Sequence, residues 1–405
     1  MSKMLTEYSA TVAMVTSMMG PSIYFTPVAF RFVGYVYGWI IIFIVAALTS
    51  FSLYCISYSA MKMPVGPTYS SLGAHISPKL KHVLDAFVIV NSLTANFCLY
   101  RYLSELIVAA FPTLLLVFPS YEAARKGVVV ALLVPFFILS FHKNLASLRY
   151  ISFAMVISIV YFIFLLISYN LLFYSVHFTH ETSPSENRFS FSIPIFITAM
   201  ACQSNMVKVL DEMASHSMRK VKFVSIWSGA GGGLIYGLIG HLGYSLFGDG
   251  LNGDLLGMFA DKNSVINVHL ARTIDRYLMS SRVAVFGSML IFIGSFPMQL
   301  NPLVTTLFNV FPESRRTENI RLLLMTFLIL LCFSLALIRD LSASLVISIA
   351  GATVTNFLSF LFPFLFFILA KKKLSCSTFL AVLSMAACVS SSIYMLFNIA
   401  NKGNV

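Results

Sequence analysis

The chain has 405 residues, of which 58% are hydrophobic and 10% are charged, and its mean hydropathy is +0.87. A soluble domain carries about 25% charged residues. This composition therefore excludes a soluble enzyme, a disordered protein and a nucleic-acid-binding module. The net charge of +12 is interpreted as basic loop residues that face the cytoplasm and anionic lipid.

Long apolar stretches recur along the whole chain and predict its fold class. A membrane-spanning helix needs about 20 apolar residues, which predicts an all-α integral membrane protein with about 11 transmembrane helices. Runs of this length without period-two alternation favour helices over a barrel. The predicted spans are 7–30, 33–60, 82–110, 127–141, 147–174, 192–214, 222–247, 282–308, 320–338, 341–370 and 376–398.

Lysine and arginine are distributed unevenly over the connections between these spans. More of them lie on the side of the N-terminus, and basic loops face the cytoplasm. The sequence therefore predicts a multi-pass protein with a cytoplasmic N-terminus and an outer or lumenal C-terminus. The sequence does not decide between a location in the plasma membrane and one in the vacuolar or lysosomal membrane. The connection 248–281 has apolar residues among charges, which suggests a short helix lying on the surface.

Two predicted spans contain residues that interrupt a helix. The first carries Gly20 and Pro21 at mid-depth, and the sixth carries the polar run 202–205 (CQSN) at a similar depth. Backbone freed inside a membrane must line a cavity or be buried in protein. Freed carbonyls bind cations, and the N-terminus of a half-helix favours a carboxylate. The alternative is that the first break is a simple kink and the second provides polar contacts between helices.

The spacing of the two breaks predicts an internal repeat. The interrupted spans are five apart, so they run in opposite directions, as in a five-plus-five inverted repeat with its substrate site at the repeat interface. We accordingly predict repeat units at 1–178 and 179–370, followed by one extra C-terminal helix in 371–405.

Several ordered motifs resemble those of the amino acid/auxin permease family of eukaryotic amino acid transporters, within the amino acid–polyamine–organocation group. Residues 20–30 (GPSIYFTPVAF) resemble the family pattern G-x-G-I-L-x-L-P-x-A-F. The other matching segments are 196–213, 243–248 (GYSLFG), 295–302 (SFPMQLNP) and 351–364. The resemblance implies a LeuT-like fold and amino acid transport. The chain departs from the family at Ser22, where a second glycine is usual.

Candidate substrate-binding residues cluster at the two breaks. Ser22, Ile23 and the backbone near Met19 and Gly20 are candidates for binding the carboxylate and amine of the substrate. On the sixth span the candidates are Gln203, Ser204 and Asn205. For Gln203 a purely structural role is an equal alternative, and Ser204 is also a candidate helix cap. The resemblance adds Tyr100 of the third span, whose hydroxyl would reach the substrate carboxylate.

Four residues are candidates for coupling to an ion. Glu105 lies one turn after Arg101, so the two form either a static pair or a proton-carrying site. His241 is either a proton carrier or a neutral histidine bonded to a neighbouring helix. Ser295 is a candidate cation ligand. Thr16 stands where many sodium-coupled members of the family carry asparagine. No cofactor or metal is predicted beyond Na⁺ or H⁺ as coupling ion.

The sequence thus predicts a secondary active transporter of amino acids that works by alternating access. No nucleotide-binding or hydrolase motif is present, so an enzyme is not expected. The alternatives are a passive channel or facilitator and a non-transporting nutrient sensor on the same fold. The expected partners are an amino acid and the lipid bilayer, without nucleic acid or an obligatory protein partner.

Overall fold

The computed structural model describes residues 5–62, 69–141, 148–172, 188–213, 217–251, 254–260, 275–312, 316–339, 343–371 and 375–401. Within these ranges the chain is almost entirely helical. The helices up to residue 172 are α1 (Glu7–Met18), α2 (Thr26–Lys62), α3 (Tyr69–Ile76), α4 (Pro78–Ala110), α5 (Leu114–Val117), α6 (Tyr121–Phe141) and α7 (Leu148–Leu172). A 3₁₀ turn, Pro21–Phe25, lies between α1 and α2.

The second part of the chain is equally helical. Its helices are α8 (Phe189–Ala199), α9 (Gln203–Glu212), α10 (Met218–Phe247), α11 (Leu255–Ala260), α12 (Asp275–Val310), α13 (Glu318–Ala336), α14 (Ala343–Ala352), α15 (Val354–Asn356), α16 (Phe362–Lys371) and α17 (Cys376–Asn401). A 3₁₀ turn (Gly248–Gly250) precedes α11, and a π-helical turn (Phe357–Leu361) joins α15 to α16.

Ten helical segments among the described residues are long and apolar enough to cross a membrane. The predicted count of eleven is therefore not confirmed. The difference lies at the start of the chain, where α1 has 12 residues and is too short to span alone. The segment Pro21–Lys62 counts as one span of 42 residues. Within it Gly34 adopts φ 77°, a left-handed conformation open to glycine, and redirects the helix between the predicted first and second spans.

The chain folds as two compact units. The first comprises Met1–Val88, Thr182–Leu238 and Ser348–Val405, and the second comprises Ile89–Glu181 and Ile239–Ile347. Helices α4, α10 and α14 contribute residues to both units. This division groups packed helices, whereas the predicted boundaries at 178 and 370 concern an internal repeat, which stays a prediction.

In the first unit, α2 is the central helix and packs against α8, α9 and α16, while α17 packs against α16. Small residues allow α10 to approach α2 closely. A Cβ atom on Gly229 would lie 2.7 Å from the Ala46 carbonyl oxygen, and one on Gly233 would lie 2.8 Å from the Ala46 Cβ. Glycine at these two positions therefore permits the close packing of α10 on α2.

In the second unit, α12 packs against α6, α7 and α13. Its core is aromatic: Phe136 of α6 stacks on Phe296 of α12 with ring centroids 3.9 Å apart, and Tyr100 of α4 meets Phe136 edge-on at 4.8 Å. Such ring pairs add to the stabilisation from burial. These contacts fix the register of three long helices around the middle of the unit.

Two details differ from the sequence-based expectations. The tenth predicted span is not one helix, because it is interrupted at Thr353 and contains the π-helical turn. The connection 248–281 contains the short helix α11 at Leu255–Ala260, and α12 begins before its end, at Asp275. The apolar residues that suggested a surface helix lie further on, largely outside the described residues.

Candidate functional site

The first helix is interrupted where Gly20 and Pro21 occur. Helix α1 ends at Met18, Gly20 is extended (φ −150°, ψ −171°), and the 3₁₀ turn begins at Pro21. Proline has no amide hydrogen, so the carbonyl of Ser17 loses the donor that a continuous helix would supply. Helical geometry resumes at Thr26, whose hydroxyl donates to the Ile23 carbonyl at 2.7 Å.

A second interruption separates α8 from α9. Helix α8 ends at Ala199, and Cys202 has φ −143° and ψ 0° before α9 begins at Gln203. The Gln203 side-chain oxygen accepts a hydrogen bond from the Cys202 amide at 2.9 Å. The side-chain nitrogen of Gln203 is buried and has no hydrogen-bond partner among the described residues. A buried amide donor is thus available at this break.

The two interrupted helices lie side by side and run in opposite directions. At one end the Leu5 amide donates to the Glu212 carbonyl at 2.9 Å. At the other end the Arg188 amide donates to the Phe32 carbonyl at 3.3 Å. Between these ends, α1 packs against α9 and the 3₁₀ turn packs against α8. The predicted geometry of two antiparallel helices that both break, at Gly20 and beside Gln203, is confirmed.

A tyrosine of α10 stabilises the end of α1. The Tyr236 hydroxyl donates to the Met18 carbonyl at 2.6 Å and also lies within hydrogen-bonding reach of Ser22. Gly232, one turn earlier on α10, leaves room for the Met18 side chain, because a Cβ there would lie 2.6 Å from its sulfur. Sequence reasoning missed Tyr236. The signal available was a phenol placed between Gly233 and Gly237 on the small-residue face of α10.

The candidate residues at the breaks differ in exposure. Met19, Ser22, Ile23 and Gln203 are buried, whereas Ser204 and Asn205 are exposed. The prediction that Ser204 caps the half-helix is wrong, because α9 begins at Gln203 and Cys202 occupies the cap position without a side-chain cap. Substrate contact at each of these positions stays a prediction.

Helix α9 has one polar and one apolar face. Its buried face contains Met206, Val207 and Leu210. Every exposed position of the helix is polar or charged: Ser204, Asn205, Lys208, Asp211 and Glu212. Lipid tails do not solvate charged side chains. We therefore expect the exposed face of this half-helix to border water rather than lipid.

Three of the other candidates donate hydrogen bonds to main-chain carbonyls. Thr16, in the first unit, donates to the Ala13 carbonyl at 3.0 Å. In the second unit, the Tyr100 hydroxyl donates to the Val129 carbonyl at 2.7 Å, and Ser295 donates to the Ile291 carbonyl at 2.8 Å. His241, also in this unit, is half-buried on α10. Their roles in substrate binding or ion coupling stay predictions.

Arg101 and Glu105 form an ion pair at 2.6 Å, and the arginine has a further role. Its guanidinium donates to the carbonyls of Ala336 and Ile338 at 3.2 and 2.8 Å, at the C-terminal end of α13. Arg125 of α6 donates to the same Ala336 carbonyl at 2.6 Å. Cations at a helix C-terminus interact favourably with its dipole and its free carbonyls. Both arginines therefore cap α13.

The position of Arg125 corrects one expectation. It falls between the predicted spans 82–110 and 127–141, in a connection expected on the outer side, but it lies inside α6 and is fully buried. Glu122 pairs with it at 2.8 Å. A buried arginine needs such partners, and the carbonyls at the end of α13 supply the others.

Two antiparallel interrupted helices in a multi-pass helical protein are typical of secondary transporters. Residues 4–401 match the family of transmembrane amino acid transporter proteins, and the chain belongs to this family. The resemblance to amino acid/auxin permeases is thereby confirmed. The protein is a multi-pass membrane protein of an amino acid transporter family and not an enzyme.

Named relatives agree with this assignment. The chain is 24% identical over 365 residues to vacuolar amino acid transporter 5 of Schizosaccharomyces pombe, covering 88% of this chain and 82% of the relative. It is 24% identical over 306 residues to vacuolar amino acid transporter 6 of Saccharomyces cerevisiae, covering 73% of this chain and 64% of the relative.

Solved structures define the fold. Mhp1, a nucleobase-cation-symport-1 family transporter, in a closed conformation with bromovinylhydantoin bound, gives a TM-score of 0.57 at 15% identity over 98% of this chain and 93% of Mhp1. Its inward-facing conformation gives 0.56 at 15% identity, over 98% and 91%. Mhp1 has the LeuT fold, so the predicted LeuT-like fold class is confirmed.

Proposed function

We propose that the protein is a secondary active transporter that moves amino acids by alternating access around the two interrupted helices. The observation that carries this proposal is the antiparallel pair of breaks at Gly20 and Cys202, which frees backbone groups on two adjacent helices of one unit. Membrane-buried polar backbone needs a partner, and a bound zwitterion supplies both a donor and an acceptor.

The chemistry at the breaks matches an amino acid. Carbonyls freed beside Pro21 accept hydrogen bonds from an ammonium group. The α9 N-terminus and the Gln203 amide nitrogen donate toward a carboxylate. Ser204 and Asn205, on the water-exposed face of α9, extend this set of polar groups. We therefore assign α-carboxylate and α-ammonium recognition to Met19, Gly20, Ser22, Ile23, Gln203, Ser204 and Asn205.

The driving force in this proposal is a proton or sodium gradient. Thr16 and Ser295 are the candidates for sodium, and Glu105 and His241 are the candidates for a proton. We place the protein in the membrane of a vacuole-like organelle, with the N-terminus in the cytoplasm. The relatives named vacuolar transporters and the lysine and arginine distribution support this placement.

Reconstitution tests the proposal. Purified protein in liposomes is expected to take up labelled amino acids from a panel in a saturable manner and to show counterflow, with proton and sodium gradients imposed separately. Asn205→Leu is expected to abolish uptake while the protein remains monodisperse. Asn398→Leu is the matched control, because Asn398 donates within its own helix to Tyr394 at 2.9 Å.

Non-saturable flux without counterflow would indicate a channel and contradict the proposal. No uptake of any amino acid by folded protein would contradict it as well. Unchanged uptake by Asn205→Leu would remove Asn205 from the site without affecting the transporter assignment.

A further inference from the structure

A short helix outside the membrane-spanning segments is docked onto the second unit by apolar contacts. Leu255, Leu256 and Phe259 of α11 are buried. The Phe259 ring lies 5.7 Å from Phe162 and 5.4 Å from Phe247, measured between ring centroids. Three buried side chains on a helix of six residues make α11 a docked element of the unit.

One carboxyl group joins this helix to α4. The Asp254 Oδ1 atom accepts a hydrogen bond from the Gly257 amide at 2.8 Å, which caps the N-terminus of α11. The same oxygen accepts a hydrogen bond from the hydroxyl of Tyr102, a residue of α4 with 1% exposure. Asp254 therefore both starts α11 and ties it to a long helix.

We propose that the Asp254 carboxyl is a proton-binding site whose occupancy controls how firmly α11 is held against α4. The site lies apart from the interrupted helices. Its existence does not depend on the proposed function, whereas its effect on transport does.

The electrostatic surroundings favour proton binding. Asp254 is half-buried, and desolvation raises its pKa to about 6 from a usual 3.8. The hydrogen bonds from Tyr102 and Gly257 lower this pKa, and the negative charge of Glu105 raises it. Glu105 is itself paired with Arg101. Nearby titratable groups whose side chains the structure describes include Tyr161 and Tyr169 of α7, Tyr244 and His241 of α10, and the exposed Arg282 of α12.

The direction of the pH effect follows from this shift. When α11 lifts away, water solvates Asp254 and its pKa returns toward 3.8. The docked state therefore binds the proton more tightly than the lifted state. Docking is favoured as the pH falls below about 6 and is weakened as the pH rises through about 6. With these two pKa values, the docking equilibrium changes about tenfold between about pH 5 and about pH 7.5.

In the proposed orientation this connection faces the lumen. An acidic lumen would then hold α11 docked and a neutral one would release it. Transport from that side would thus respond to lumenal pH through Asp254, in addition to any effect of the gradient on coupling.

The test measures the accessibility of α11 in the purified full-length protein, so it needs no transport. Leu256→Cys places a thiol at a position with 0% exposure, and Leu255→Cys provides a second probe at the adjacent buried position. Maleimide labelling is normalised to native Cys376, which is exposed while the other five cysteines are buried. The labelling ratio is expected to rise about tenfold between about pH 5 and about pH 7.5.

Two further variants identify the group responsible. Asp254→Asn, which cannot ionise, is expected to remove the pH dependence in the Leu256→Cys background. Tyr102→Phe is expected to move the midpoint to higher pH, because the Tyr102 hydroxyl favours the carboxylate. Tyr161→Phe, whose hydroxyl donates to the Ser280 carbonyl at 3.0 Å, is expected to leave the midpoint unchanged.

A pH response that persists in Asp254→Asn would overturn the proposal, and so would a flat response of both cysteine probes in monodisperse protein. Loss of amino acid uptake with an intact labelling response would count against the proposed function alone.

Discussion

The Tyr236 hydroxyl donates a 2.6 Å hydrogen bond to the carbonyl of Met18, the last residue of α1. The two residues are 218 positions apart in the sequence. The bond supplies a donor to a carbonyl that the interruption at Gly20 leaves without its helical partner. It therefore fixes where the first half-helix ends and how the following turn is oriented.

Loss of this hydrogen bond is expected to weaken substrate binding more than it destabilises the fold. Tyr236→Phe leaves the buried Met18 carbonyl without its donor, which costs about 1–3 kcal/mol. We expect the KM for amino acid uptake to rise about tenfold, with a modest fall in the thermal unfolding temperature. Tyr54→Phe is the control, because the Tyr54 ring contacts Lys222 and Phe367 and retains both contacts as phenylalanine. Equal KM values for the two variants would contradict this role.

Substitution of Gln203 is expected to affect amino acid uptake more than it affects the free energy of unfolding. Its buried side-chain nitrogen has no hydrogen-bond partner among the described residues, so the residue carries a desolvation cost that a structural glutamine would not. Gln203→Met removes this desolvation cost but also leaves the buried Cys202 amide without its acceptor. Because these two effects oppose each other, the free energy of unfolding is expected to fall by no more than about 1–3 kcal/mol, whereas uptake is expected to be abolished. A large loss of stability with uptake retained would show that the glutamine is structural.

The contact between α2 and α10 depends on Gly229. A Cβ at this position would overlap Ser50 Oγ and lie 2.7 Å from the Ala46 carbonyl oxygen, which is backbone and cannot move aside. Gly229→Ala is expected to destabilise the protein by about 1–3 kcal/mol. Gly231→Ala is the control, since its Cβ would lie 3.4 Å from Val15 Cγ2. Thermal unfolding in detergent measures the stability of both variants. Equal unfolding temperatures for Gly229→Ala and Gly231→Ala would contradict this interpretation.

Because Arg125 caps α13, we expect its substitution to cost more stability than substitution of the neighbouring Lys126. Arg125 is fully buried and bonded to Glu122 and Ala336, whereas Lys126 is exposed. Arg125→Met leaves Glu122 without this cation and is expected to cost about 1–3 kcal/mol. The cost stays in this range because Glu122 is partly exposed and Arg101 still donates to the Ala336 carbonyl. Lys126→Met is expected to change stability by less than about 0.5 kcal/mol. Comparable unfolding temperatures would argue against the capping role.

The breaks in the first and sixth spans were predictable because their causes are local. Proline removes a donor at Pro21, and the polar run that starts at Cys202 interrupts an apolar stretch. The break at Thr353 was not predictable, because the residues that follow it are largely apolar and read as a continuous helix. The contacts around this break involve residues that are distant in sequence. Gly351 packs against the Pro194 carbonyl, and Asn356 donates to Ser392 at 2.9 Å.

The part of the candidate site that lies at the two breaks was also predictable. The residues at the two breaks were identified from composition and spacing, since polar groups in apolar spans are rare. Tyr236 and Arg125 were not, because each acts through a carbonyl that is remote in sequence. Their partners, Met18 and Ala336, carry no sequence signal, since every residue has a carbonyl group.

Main-chain hydrogen bonds join the two broken helices at both ends, through Leu5 with Glu212 and through Arg188 with Phe32. These bonds do not depend on side-chain identity, so substitution does not easily release them. They favour movement of the two helices as one body. If the protein works by the proposed alternating access, the binding site between these helices would keep its geometry, and the conformational change would take place in the helices around the pair.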